Sequence, residues 1–449
     1  MGVKVATSVG DGGAVEMTRD ELRDDIEAGS EAGAKRAKVP PLVARRCSRG
    51  VGVGDVGYPA LDGVSIPRHE IDRRIANVRE QLAGRGLEAL IIFSSPGSLR
   101  FGQRGHVLYL SGYEPYFGDC MMILPLDDGI GAVLVKDAAD YFPETCTWIT
   151  DVRDAGDRVA VAGEFLSANG LDRSSIGVAG EYSVSPTLYS RLLETVGPAR
   201  LGTASDILER ERSAKSEFEL GCLKKAAAIA AKGFEAAASF MRPGVTESDV
   251  MGEMERVCRE HGSQAFPHHT MVVSGRDEAH LSYWWRCGPR TLGPGDPVSI
   301  DFGTMYQGYC CDLSRPFVVG RASERQKDVL KVLLEAHHAA AEAARPGVRV
   351  SAVDEAANRI LTAAWGDQDW WGIGHGVGLE VHEWPFIGYQ RIVDDGAYED
   401  RVLEENMVVS LEPTMSSPDT GDMQIEDQFV VTGSGAVRLN TIPHRITEV

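Results

Sequence analysis

"PVSIDFGTMYQGYCCDLSRPFVV", running from Pro297 to Val319, sets two aspartates into apolar, strand-like sequence. Asp301 and Asp312 stand eleven residues apart, with Gly303 and Gly308 between them. Along a single strand that odd spacing would place the carboxylates on opposite faces, whereas a hairpin turned at the glycines brings them together. Alone, the pair reads equally well as turn or surface acids. The pattern recurs, however. "MVVSLEP" (Met407 to Pro413) presents Glu412 directly after an apolar strand, and "MQIEDQFVV" (Met423 to Val431) presents Glu426 within another. An acid in an apolar run is expensive to bury unless it is paired or bound to a metal.

A fourth stretch, "GHGVGLEVHEWP" (Gly374 to Pro385), carries His375 and His382 among glycines that bring backbone close to whatever they face. Four carboxylates and one imidazole form an oxygen-rich donor set suited to hard or borderline divalent ions such as Mn, Fe, Co or Zn. That much negative charge calls for two of them.

The rest of the composition bounds the possibilities. At 449 residues the chain exceeds one ordinary core, and 43% hydrophobic with 25% charged residues describes a globular protein. A formal charge of −20 and the lack of a basic stripe argue against a nucleic-acid partner. Eight scattered cysteines without a CxxC pair read as reduced thiols of a cytoplasmic protein. The first residues show no signal-peptide pattern and no run of 18 apolar residues occurs, so neither export nor a membrane span is expected.

Residues 1–62, rich in Gly, Ala and charge, read as a flexible extension. From there to about residue 210 helix and strand patterns alternate: Ile71, Ile75, Val78 and Leu82 share a helical face, and "LEALIIF" follows as a buried strand. This predicts an α/β domain over 63–210. A long Ala-rich helical stretch between Glu209 and Met241 opens a second domain, 211–449. Within it "RPGVTESDV" (Arg242 to Val250) is echoed by "RPGVRVSAV" (Arg345 to Val353), which suggests two related halves about a pseudo-twofold axis.

In this order and spacing, "DFGTMYQGYCCDLSR", "GHGVGLEVHE", "SLEP" and "QIEDQ" resemble the pita-bread metallopeptidases, the family of Xaa-Pro aminopeptidases, prolidases and creatinases. The preceding α/β region resembles the creatinase-type amino-terminal domain. The resemblance implies that Asp301 chelates one metal, that Asp312 and Glu426 bridge two, and that His375 and Glu412 complete the second. It implies a metal-bridging hydroxide that attacks a carbonyl or amidine carbon so that its C–N bond breaks, with Glu412 carrying the proton to the leaving nitrogen. His382 and His280 would be catalytic imidazoles facing the substrate, whereas His268 and His269, in "FPHHT", read as ordinary polar residues. A homodimer is implied as well.

Where the prolidase branch carries another histidine, "DWWGIGHG" offers Trp370 and Trp371. With Trp284 and Trp285 in "SYWWRCG", a wall of indoles (Trp284, Trp285, Trp371) would suit a flat or cationic small substrate, although tryptophans also serve as packing residues. "CGPR", "EWP", "GAY" (Gly396 to Tyr398) and "EDQ" are similar to the metal-dependent dimethylsulfoniopropionate lyase branch, which makes a lyase the alternative. That branch carries an Asp soon after the metal histidine, where Glu380, Val381 and His382 stand here. A non-catalytic binding module is the least favoured reading, since all five ligands are present.

Overall fold

The computed structural model describes residues 58–59, 65–96, 105–115, 117–137, 147–154, 156–277, 287–366, 372–388 and 400–449. The extension therefore lies almost wholly outside the described residues, as do His280, Trp284, Trp285, Trp370, Trp371 and the Gly396 to Tyr398 stretch. A short antiparallel pair, β1 (Tyr58–Pro59) and β2 (Ser65–Ile66), precedes the first helix.

Helix α1 (Arg68–Arg85) buries Ile71, Ile75, Val78 and Leu82 on one face, as their spacing predicts. It stops at Gly86, whose φ of 66° suits a residue without a Cβ. The next strand, β3 (Ala89–Ser94), is wholly buried. It joins β4 (Cys120–Pro125), β5 (Val133–Lys136), β6 (Asp151–Asp154), β7 (Ile176–Ala179) and β8 (Leu201–Thr203) in a six-stranded sheet of order β6-β5-β4-β3-β7-β8. The sheet is mixed. β4 runs antiparallel to both β3 and β5, and the connection from β4 to β5 is too short for a crossover. The β3–β7, β7–β8 and β5–β6 pairs are parallel.

Both faces of this sheet are covered. Ala89, Ile91 and Phe93 point into a core with α3 (Arg158–Ala168) and α4 (Pro186–Val196). Leu90 and Ile92 point the other way, toward α1, α2 (Gly105–Ser111) and α5 (Ser205–Ser213). That second core continues through Leu223, Met305, Tyr309, Val377 and Leu379, so the amino-terminal sheet and the carboxy-terminal region share buried surface.

The Ala-rich stretch is one helix, as expected, and is set off from the helix before it. α5 ends at Ser213, and Ser216 with Glu219 forms a capping box that starts α6 (Glu217–Phe240) afresh. Two halves follow. The first packs α6 and α7 (Glu247–Glu260) on a sheet built from β9 (Met271–Ser274), β10 (Pro297–Phe302) and β13 (Leu313–Val318), with a small hairpin of β11 (Met305–Tyr306) and β12 (Tyr309–Cys310). The second packs α8 (Glu324–Ala343) and α9 (Val350–Trp365) on β14 (Gly374–Gly376), β15 (Glu383–Ile387), β16 (Val408–Leu411), β19 (Asp427–Thr432) and β20 (Gly435–Arg438). A hairpin of β17 (Thr414–Ser417) and β18 (Gly421–Gln424) links β16 to β19, and β21 (Thr447–Glu448) returns to pair with β13.

The RPGV echo is a repeat of hydrogen bonds as well as letters. Gly244 N–H donates to Leu292 O (2.9 Å) and Glu247 N–H to Arg290 O (3.0 Å). In the second half Gly347 N–H donates to Leu403 O (2.8 Å) and Val350 N–H to Arg401 O (3.0 Å). Both glycines take a positive φ, 97° and 82°. The two halves meet at a bridge between Ser314 and Glu426.

Candidate metal centre

The reversal that joins Asp301 to Asp312 is made at Gln307 and Gly308, with φ of 53° and 80°. Gly303, expected to share in the turn, does something else. A Cβ there would lie 1.8 Å from the Cys311 carbonyl, so it permits the close backbone approach that brings the Asp312 carboxylate within 4.8 Å of that of Asp301. Gly374 has the same part in the second half, where a Cβ would lie 1.9 Å from the Ser410 carbonyl and push His375 off its strand partner.

All five expected metal ligands converge. His375, fully buried on β14, holds its Nε2 3.4 Å from Glu412 Oε1, 3.7 Å from Asp312 Oδ2 and 3.9 Å from Glu426 Oε1. Glu412 follows β16 directly, and its Oε2 accepts from Gln424 Nε2 at 3.1 Å. Glu426 Oε1 accepts from the Ser410 hydroxyl at 2.7 Å, while its Oε2 is buried without a hydrogen-bond partner among the described residues. His382 lies beside the group, its ring centroid 4.1 Å from that of His375.

One residue corrects the sequence reading. His268, set aside as an ordinary polar side chain, is buried with its Nε2 2.9 Å from Asp312 Oδ1 and 3.8 Å from Asp301 Oδ1. Its Nδ1 faces the His269 carbonyl at 2.9 Å, so both nitrogens face acceptors. Burial would depress this imidazole, but Asp312, Asp301 and that carbonyl lift it to about 9. Its neighbour His269 is exposed, as an ordinary polar residue would be. The available signal was position: His268 sits just before the buried strand β9, which pairs with β10 beside Asp301. Ser410 and Gln424 were also missed, because short polar residues inside strands carry no local signature.

The electrostatics fit a cation. Burial raises Glu426 well above the ordinary carboxylate range, and repulsion from Asp312, Glu412 and Asp301 adds to it. For Asp312 burial works upward too, yet His268, His375 and His382 hold it below that range. Buried carboxylates crowded in this way, one with an unsatisfied oxygen, are what a divalent ion stabilises.

A buried ionic clamp from the amino-terminal region backs the His382 loop. Glu383, next in the chain, accepts from Arg212 Nη2 at 2.6 Å and from Lys215 Nζ at 2.8 Å. Arg212 Nη1 also donates to His106 Nδ1 at 3.0 Å, which fixes the proton of that ring on Nε2, 2.8 Å from the Tyr182 hydroxyl. Burial and the Arg212 charge keep His106 neutral. The loop is held again where Gly105 N–H donates to Glu380 Oε1 at 2.6 Å. Between these parts lies a cavity of about 210 Å³, lined by His106, Tyr182, Arg212, His382 and Trp384 among others.

Two family models match the chain: that of metallopeptidase family M24 over residues 221–433, and the creatinase/prolidase N-terminal domain over 74–214. An Xaa-Pro dipeptidase of Pyrococcus furiosus is 32% identical over 266 residues, 59% of this chain and 73% of that one. The chain belongs to metallopeptidase family M24. A second Xaa-Pro dipeptidase, from Pyrococcus horikoshii, is 29% identical across 82% of this chain and 97% of its own length. Among solved structures, the X-Pro aminopeptidase of Thermotoga maritima superposes with a TM-score of 0.73 at 25% identity, covering 84% of this chain and 99% of that one. As an M24 member with this creatinase-type first domain, the chain is a metal-dependent hydrolase on the pita-bread fold. These matches support a peptidase and lend nothing to the lyase alternative. No helix among the described residues is long and apolar enough to cross a membrane.

Proposed function

We propose that this M24 hydrolase cleaves the C–N bond of small peptides, Xaa-Pro dipeptides foremost, at a two-ion centre held by Asp301, Asp312, His375, Glu412 and Glu426. The observation that carries the proposal is the approach of His375 Nε2 to within 3.4–3.9 Å of three carboxylates drawn from both halves of the repeat. Two divalent ions, Mn, Fe, Co or Zn, supply Lewis acidity toward the scissile carbonyl and lower the pKa of the attacking water.

The chain's own groups do the rest. Glu412 is the most exposed of the set, with 23% of its side chain accessible, so it is the carboxylate that receives a proton and passes it to the leaving nitrogen. Gln424 orients it through Oε2. His382, half-buried between the cluster and the cavity, is positioned to donate to the developing oxyanion, and the Arg212–Glu383 clamp fixes its loop. His268 holds Asp312 in one orientation. By the same reading His280 faces the substrate and Trp284, Trp285 and Trp371 wall it. We assign the chain to an extension (1–62), a creatinase-like domain (63–210) and a catalytic domain (211–449), acting as a cytoplasmic homodimer.

The experiment is a product assay with Mn-loaded protein on a Xaa-Pro dipeptide, the matching Xaa-Ala dipeptide and dimethylsulfoniopropionate. Release of free proline is the expected result. Turnover of the Ala peptide alone would move the specificity away from proline, and absence of any amino-acid release would overturn the peptidase reading.

A further inference from the structure

A second set of imidazoles lies apart from the carboxylate centre. His337 and His338 on α8, and His444 in the segment between β20 and β21, bring ring nitrogens within 4.8 Å of one another. The ring centroids lie 5.3 Å apart for His337 and His444, and 5.7 Å apart for His338 and His444. Asp427 reaches the same point from the start of β19. Its Oδ2 is 2.6 Å from His444 Nε2 and 3.4 Å from His337 Nε2.

His337 makes the cluster unusual. The residue is fully buried, and neither ring nitrogen has a hydrogen-bond partner among the described residues. Its ring packs against Phe429, with centroids 5.3 Å apart, which leaves Nδ1 desolvated without a partner and Nε2 with only the 3.4 Å approach of Asp427 Oδ2. Buried polar atoms in that state are rare and call for a missing partner.

We propose that His337, His338 and His444, with Asp427 Oδ2, form a binding site for a borderline transition-metal ion, Zn²⁺ foremost, separate from the catalytic centre. Imidazole nitrogen is a preferred donor for zinc, nickel and copper, whereas the catalytic centre is built mainly of carboxylate oxygen. Tetrahedral Zn–N bonds of about 2.0–2.1 Å set ligand atoms roughly 3.3 Å apart, a short closure from the 4.8 Å within which the three imidazoles lie and close to the 3.4 Å between His337 Nε2 and Asp427 Oδ2. Burial pushes His337 down to about 3, with His444, Arg315 and His338 adding to the fall against the pull of Asp427. Its lone pair is therefore available at neutral pH.

The nearby charges divide between the two carboxylate oxygens. Arg315 and Asn440 occupy Asp427 Oδ1, each at 2.6 Å, and Arg315 is further fixed by the Glu426, Pro443 and Ile442 carbonyls. Oδ2 is left to His444, His337 and the guanidinium of Arg438, which lies 3.8 Å away and also contacts His444 Nε2. Arg438 supplies the positive charge at the place an ion would take. With 28% of its side chain exposed on the edge strand β20, it has solvent to move into when an ion displaces it. The ion would tie α8 to the carboxy-terminal segment and to the strand that follows Glu426.

The test compares wild type with the double variant His338→Ala/His444→Ala. Both proteins are equilibrated with excess Zn²⁺, dialysed, and assayed for zinc per chain and for the thermal midpoint with and without Zn²⁺. Wild type should hold one more zinc than the variant and show a zinc-dependent rise in midpoint that the variant lacks. Ions in the catalytic centre are common to both proteins and cancel in the difference, so failure of the peptidase reading would not disturb it. Equal zinc content in the two proteins would overturn the proposal. So would full retention of the extra zinc in His337→Phe, because the buried imidazole would then not be a ligand.

Discussion

The two halves of the catalytic domain share a skeleton and differ in what they hang on it. Each has a helix pair turned at an Arg-Pro-Gly-Val sequence, with the same hydrogen bonds from the turn to the following segment. Each also has a glycine whose missing Cβ admits a backbone carbonyl below 2 Å from where that Cβ would stand. On this common frame the first half mounts Asp301, Asp312 and His268, while the second mounts His375, His382, Glu412 and Glu426. The first half carries a carboxylate pair stiffened by one imidazole, and the second carries the group positioned for proton transfer. Backbone symmetry fixes where the centre lies, and side-chain asymmetry determines what it does there.

With Glu426 proposed as a ligand of the metal centre, its removal is expected to be the most severe break of this arrangement. Glu426→Ala should lower turnover by roughly 10³-fold or more, since several kcal/mol of charge stabilisation is lost, while circular dichroism stays native. Full activity in this variant would remove Glu426 from the centre.

The clamp beneath the second half comes next. Arg212→Met strips one partner from the buried Glu383 and should destabilise the protein by about 3–5 kcal/mol in chemical denaturation. In the milder Glu383→Gln background, a double-mutant cycle with His382→Gln should give non-additive losses in kcat, because both act on one loop. Additive losses would mean that the clamp serves stability alone.

The matched glycines sharpen the comparison directly. Gly303→Ala and Gly374→Ala should each cost about 3 kcal/mol, since a backbone carbonyl has to move in either half. A large effect in one and none in the other, read from melting curves, would break the symmetry argument.

Next in size is His382→Gln, expected to lower kcat about 100-fold with metal content retained. Loss of metal instead would make His382 a ligand rather than a substrate-facing group. The smallest effect belongs to the turns. Gly244→Ala and Gly347→Ala place a side chain at positive φ in open space, and each should cost about 1 kcal/mol, equally in both halves.

Much of the centre was legible because acids inside apolar strands are conspicuous. Asp301, Asp312, Glu412 and Glu426 stood out for the cost of burying them, and the structure brings three of them to His375 and the fourth, Asp301, to His268. The repeat was legible from four letters, and its hydrogen bonds bear it out. His268 was not, because its part depends on which strand pairs with β10, a long-range fact that no local pattern encodes. The same holds for Arg212 and Lys215, ordinary basic residues at a helix end until β15 supplies Glu383. The Ala-rich helix after Ala214 was legible from composition, and its capping box at Ser216 with Glu219 fixes where it starts.

The most direct test of the central claim is a count of Mn²⁺ per chain, by elemental analysis after equilibrium dialysis, in wild type, Asp301→Ala and His375→Ala. A centre assembled from both halves predicts two ions in wild type and one in each variant, with proline release lost in both. Two ions and full turnover in either variant would show that its half contributes nothing to the site, and would contradict the account.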